Sequence, residues 1–179
     1  MLGGHTVNRL EDQLFSSTSQ MIVDLVYELY NRNPKAARFV TSNNMALSRE
    51  QFWELGGFDL SFYRGASEDR ELCARWLASG RRIAYEPTLK VFHAHHLGFS
   101  GFTRQHFNYG RGAWSFRAKQ RKNRQVKDEL DLHLDVRRWL LYPVRNKAPK
   151  PVRTMLAMLW WQVVNAAGFV YQGLAGRPK

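Results

Sequence analysis

Of the 179 residues, 44% are hydrophobic and 23% charged, a globular composition that excludes a wholly disordered chain. The single cysteine, Cys73, excludes an intrachain disulfide and a disulfide-built secreted scaffold, and makes a reducing compartment the expectation. The net charge of +12 is unevenly spread. Residues 1–100 carry 11 Lys+Arg against 11 Asp+Glu, and residues 101–179 carry 16 against 4. A protein basic throughout is therefore excluded. The basic part alone calls for an anionic partner, either nucleic acid or a membrane surface.

Met1 to His5 has neither a basic n-region nor an apolar h-region, so no secretory signal is read there. Residues 16–31 are predicted as a helix, with Ile22, Leu25, Val26 and Leu29 at helical spacing and Asn31 to Pro34 as its stop. Residues 37–47 read as a strand followed by a polar turn. Ser48 and Gln51 form a capping box for a short helix, Arg49 to Leu55, which Gly56-Gly57 closes. Ser67 is expected to cap the next helix, with Glu68 and Asp69 in its first turn, where the helix dipole favours carboxylates. That helix reaches Ser79. Residues 82–86 and 89–95 read as two short strands around Pro87, with Val91, His93 and His95 on one face.

Residues 102–120 are helical in part, with Gly110 and Gly112 interrupting the pattern. Arg117 to Lys127 is a basic run, and three prolines make 143–151 a linker. Residues 155–174 form an apolar stretch of 20, long enough to span a bilayer. Gln162, Asn165 and Gln172 dilute it, however, and Trp160-Trp161 suits an interface.

The chemistry concentrates in residues 41–112. In order stand Ser42-Asn43-Asn44, Gly56-Gly57-Phe58-Asp59, Glu68-Asp69, His93-Ala94-His95 and Gln105 to Gly112. An acidic pair at a helix start, two alternating histidines and a Gly-Gly stop are each common in structural roles; their order and spacing carry the signal.

That order resembles the C-terminal half of family-2 glycosyltransferases of the GT-A fold, the inverting sugar transferases. The matching residues are Asn43-Asn44-Met45-Ala46, Gly56 to Asp59, Glu68-Asp69, Pro87 to His95 and Tyr109-Gly110-Arg111-Gly112, a likeness covering roughly residues 3–116. The implied fold is α/β: residues 1–116 as the acceptor-side half of a Rossmann-like GT-A domain, 117–153 as a basic helical region with a Pro-containing linker, and 154–179 as an apolar, membrane-associated helix and tail. The implied activity is transfer of a sugar from a nucleotide-diphosphate sugar to a hydroxyl acceptor, with inversion. Asp69 would be the general base and Glu68 its orienting partner, because the acceptor hydroxyl must lose its proton as it attacks. Asn43, Asn44, Gly57, Arg104, His106, Tyr109 and Arg111 are the implied substrate-binding positions. His93, 24 residues after Asp69, and His95 are the implied ligands to a divalent metal, Mn²⁺ or Mg²⁺.

Two departures qualify the likeness. The Gln-x-x-Arg-Trp element of processive members is absent at Gln105, which disfavours a polymer synthase. No Asp-x-Asp metal motif occurs anywhere, and Asp128-Glu129-Leu130-Asp131 lacks the pattern. The expectation is a fragment, inactive alone, whose nucleotide-binding N-terminal half lies in the same or another chain. The expected partners are a nucleotide-sugar donor, a sugar or lipid-linked acceptor and an anionic membrane, at the cytoplasmic face of a bacterial membrane, with no nucleic acid. The alternatives are a non-catalytic remnant, a partner-dependent binding module, and a nucleic-acid-binding module over residues 101–153. There Phe107, Tyr109, Trp114 and Phe116 interleave with basic residues, although no nucleic-acid motif is present.

Overall fold

A computed structural model describes residues 1–62, 66–122 and 135–176. Its centre is the strand Leu2–Asn8, β1. Helix α1, Leu14–Tyr30, follows and turns Leu25 and Leu29 inward, as the spacing requires. Asn31 ends it. Its amide donates to the Phe39 carbonyl at 2.7 Å, and its oxygen accepts from the Arg38 and Phe39 amides at 3.1 and 3.2 Å. These bonds replace the ladder that a strand over 37–47 would have made. Among the described residues only Met45–Ala46, β2, pairs antiparallel with β1, and Ala37 forms an isolated antiparallel bridge with Ile83. Ser42–Asn44 is a single 3₁₀ turn.

The short helix after Ser48 is α2, Arg49–Glu54, and the Ser48 side chain caps it as expected, accepting from the Gln51 amide at 3.2 Å. Gly56 and Gly57 close it with φ of 81° and 68°, left-handed values that side-chain-bearing residues rarely adopt. Helix α3 is Glu68–Ala78.

The two strands expected around Pro87 are one, β3, Ala84–His93, parallel to β1, so the sheet order is β2-β1-β3. Leu2 to Gly4 faces Ala84 to Glu86, and the pairing resumes with His5 opposite Lys90. Pro87, which has no amide to donate, falls in the skipped stretch. The Asn44 amide fills the gap, donating to the carbonyls of His5 (3.1 Å) and Leu89 (3.0 Å).

The expected break at Gly110 and Gly112 does not occur: α4 runs unbroken from Phe99 to Lys122. Helix α5 is Val136–Arg145 and α6 is Pro151–Ala175. Pro143 therefore sits inside α5 rather than in a linker, which shortens to residues 146–150. The basic run beyond Lys122 and the acidic cluster 128–131 lie outside the described residues.

Two cores result. Ala37, Val40, Cys73, Trp76 and Ile83 pack α3 against the sheet side. Leu25, Leu29, Tyr30, Phe102, Trp139, Met158 and Trp161 join α1, α4, α5 and α6. Helix α4 runs across position 116/117, and the second core links α6 to α1.

Helices α4 and α6 touch backbone to backbone. A Cβ on Gly110 would strike the Asn165 carbonyl, and one on Gly168 the Phe107 carbonyl. Glycine's poor helix propensity, about 1 kcal/mol against alanine, is outweighed here by close approach. Gly168→Ala should lower the urea midpoint by the equivalent of roughly 1–3 kcal/mol. Gly98→Ala, whose Cβ meets nothing within 4 Å, should leave that midpoint within the range of ordinary surface changes.

Candidate active site around Asp69

Helix α3 opens without the expected side-chain cap. Ser67 has φ of 76°, and its hydroxyl makes no capping bond. A left-handed serine costs roughly 1 kcal/mol. The segment is held by α4, where Gly112 lies so close to the Ala66 carbonyl and the Ser67 hydroxyl that a Cβ would collide with both. The turn presents Glu68 and Asp69 at the helix N-terminus.

Asp69 is half-buried, and this burial, reinforced by the adjacent Glu68 charge, raises its pKa to about 6. Backbone amides moderate this. The Asp69 carboxylate accepts from the Arg70 amide at 2.7 Å and from the Ser42 amide. The Arg70 guanidinium donates to the Tyr30 hydroxyl at 2.7 Å and lies 4.7 Å from the Phe116 ring centroid. One carboxylate oxygen of Glu68, Oε2, is buried with no hydrogen-bond partner. Tyr109 completes the group. Its hydroxyl is pushed up to about 12 by burial, and next by the charges of Asp69 and Glu68.

The Gly56 to Asp59 element borders this region on another side. Arg75 binds Glu71 at 2.6 Å and also donates to the carbonyls of Leu55 and Gly57, so it fixes the double-glycine turn to α3. Asp59 is held at about 2 by its hydrogen bonds, chiefly from Lys119, against the opposing effect of burial. Gly56, Phe58, Asp59, Leu60, Glu71, Arg75 and Lys119 line an open cleft of about 590 Å³. Asp69 is not among its walls.

The other positions singled out from the sequence separate by role. The Asn43 side chain accepts from Thr41 at 2.6 Å and Thr6 at 3.1 Å, so it braces the turn that carries Ser42. Asn44 bridges β1 and β3, and Gly57 serves the turn. Arg104 is exposed on α4. Arg111 donates to Gln172 at 2.8 Å and lies over Tyr171, which ties it to α6. His106 is not placed to meet a substrate. It is 1% exposed, packed among Phe102, Tyr109 and Trp161, and neither ring nitrogen has a partner. Burial lowers its pKa to about 3.

His93 and His95 lie at the exposed end of β3, their ring centroids 5.4 Å apart. Burial, and then the neighbouring His93, lowers the pKa of His95, which favours the neutral form that ligates metals. Among the described residues no three His, Cys, Asp or Glu side chains gather around a common point. Two imidazoles without carboxylates are a poor donor set for Mg²⁺ or Mn²⁺, which favour oxygen. These residues alone do not fit the expected metal.

Sequence reasoning missed the Ser42 amide, the Tyr30–Arg70 bond and the left-handed Ser67. Each is set by packing between distant segments, for which no local signal exists. Compared with protein-family models, curated proteins and solved structures, the chain matches none.

Two substitutions separate the buried titratable groups. The native pKa of Asp69 lies above its ordinary value of 3.8, so its favourable contribution is present below pH 3.8 and is lost as pH rises through 6. Asp69→Asn should therefore be more stable than wild type at pH 7, by on the order of 2 kcal/mol, with the advantage gone below pH 4. His106 has the opposite sign. Its native pKa lies below the ordinary 6.5, so stability is lost as pH falls from 6.5 towards 3. His106→Leu should flatten that acid loss in urea titrations between pH 7 and 4.

Proposed function

We propose that the chain is the acceptor-side half of an inverting, GT-A-type family-2 sugar transferase. The observation that carries this reading is Asp69: a desolvated carboxylate with a pKa of about 6, at a helix N-terminus, oriented by the Ser42 amide. Near neutral pH such a group is ionised, yet far more basic than an ordinary aspartate, which suits general-base catalysis. Asn43 and Asn44 hold the Ser42 turn and the sheet in place, so they position the base rather than bind the sugar.

In the proposed reaction the acceptor hydroxyl gives its proton to Asp69. Its oxygen bonds to the anomeric carbon from the face opposite the diphosphate. The carbon–oxygen bond to the diphosphate breaks, and the electron pair leaves with it. Glu68 keeps Asp69 basic by proximity, and Tyr109 stands beside both as a protonated hydroxyl able to donate to an acceptor oxygen. The proposal has the nucleotide pocket, and whatever offsets the charge on the leaving diphosphate, supplied from outside these residues.

The test is sugar transfer from radiolabelled nucleotide-diphosphate sugars in membranes of the native host, comparing wild type with Asp69→Asn. Loss of transfer by about 10²-fold or more, with donor retention unchanged, is the expected outcome. Transfer at the wild-type rate in the Asn variant would remove Asp69 as the base and the proposal with it.

A further inference from the structure

Helix α6 has two apolar faces. One, through Ala157, Met158, Trp161, Val164 and Gly168, is buried against the rest of the fold. The opposite face carries Val152 (68% exposed), Leu156 (60%), Val163 (59%), Val170 (57%) and Leu174 (85%), with the exposed Ala167 between them. Steps of four, seven, seven and four residues place these side chains on one line along the helix. From Thr154 to Gly176 there is no charged residue. A helix on the surface of a water-soluble fold normally turns charged residues outward, and this one turns aliphatic ones. Trp160 flanks the line, stacked on the exposed Phe99 with ring centroids 5.6 Å apart.

The start of this face is cationic. Exposed Lys147, Lys150 and Arg153 stand at and before the start of α6, and residues 101–179 carry the whole excess of +12. No helix among the described residues is long and apolar enough to cross a membrane. We infer that α6 lies in the plane of an anionic phospholipid bilayer, with the Val152–Leu174 line immersed at the headgroup–acyl boundary and the basic side chains on the lipid phosphates. Apolar area supplies the immersion and positive charge supplies the preference for anionic lipid. Trp160 and Phe99 sit where amphipathic rings favour the interface. This inference does not depend on the sugar-transfer reading.

Co-sedimentation of the full chain with large vesicles tests it. Vesicles of phosphatidylcholine with one-third phosphatidylglycerol should retain the protein at least ten-fold better than phosphatidylcholine alone, and added salt should reduce the difference. The triple variant Leu156→Gln, Val163→Gln, Leu174→Gln changes only exposed positions, so its circular dichroism and urea midpoint should match wild type while retention by anionic vesicles is lost. No retention of the wild type, equal retention by both vesicles, or undiminished retention of the folded triple variant would each overturn the inference. So would light scattering that shows a dimer dissolved by the triple variant without any vesicle binding, because the face would then belong to a second copy.

Discussion

The backbone contact between α4 and α6 is the constraint on which the remaining geometry rests. Gly110 and Gly168 bring the two helices to the distance where carbonyls, not side chains, set the spacing. Two positions along α4, Gly112 meets the Ala66 carbonyl on a different flank. Helix α4 is thereby held between α6 and the turn that starts α3. The turn can keep Ser67 left-handed because it is clamped there, and the clamp aims Glu68 and Asp69. The same contact uses one face of α6 for packing and leaves the opposite aliphatic face outside.

The site is formed at the expense of stability. Asp69 has three backbone amide donors near its carboxylate but also burial and an acidic neighbour, so its ionised form is disfavoured. A buried carboxylate with a full cationic partner would be more stable and much less basic. The nearest cation in sequence, Arg70, donates to Tyr30 and lies over Phe116 while also interacting electrostatically with Asp69. His106 is a second buried titratable group, set among aromatic rings, and it opposes Asp69 in the pH dependence of folding. Cys73 is inert by comparison, its thiol pushed up to about 12 by burial.

Much of this was legible in the sequence wherever one segment decides its own structure. The spacing of Ile22, Leu25 and Leu29, the Ser48 cap, the Gly56-Gly57 stop and the acidic first turn of α3 all emerged as read. The reading failed wherever a distant segment decides. Gly110 and Gly112 read as breaks because their partners, Asn165 and Ala66, lie elsewhere in the chain. Residues 37–44 have strand-forming side chains, but Asn31 and Tyr27 take up their backbone groups. Ser67 looks like a cap and instead serves as a left-handed hinge. Within the candidate site, Asp69, Glu68 and Tyr109 were singled out through the family resemblance; the structure sets Asp69 and Glu68 in the first turn of α3, and His106 and Arg111 in packing contacts of α4.

The parallel pairing of β1 with β3 joins residues about eighty positions apart, with α1, β2, α2 and α3 between them. A ribosome releases β1 long before its partner exists. Pairing with β3 must therefore wait through the synthesis of three helices, whereas β2 is available earlier. Antiparallel contact with Met45–Ala46 engages only Leu2 and Gly3, so the stretch His5 to Asn8 stays open until His93 emerges. Folding of the sheet is thus a late event, governed by loop-closure entropy rather than by local propensity. Its first strand, glycine-rich at one end and polar at the other, is poorly suited to sticking to anything else in the meantime.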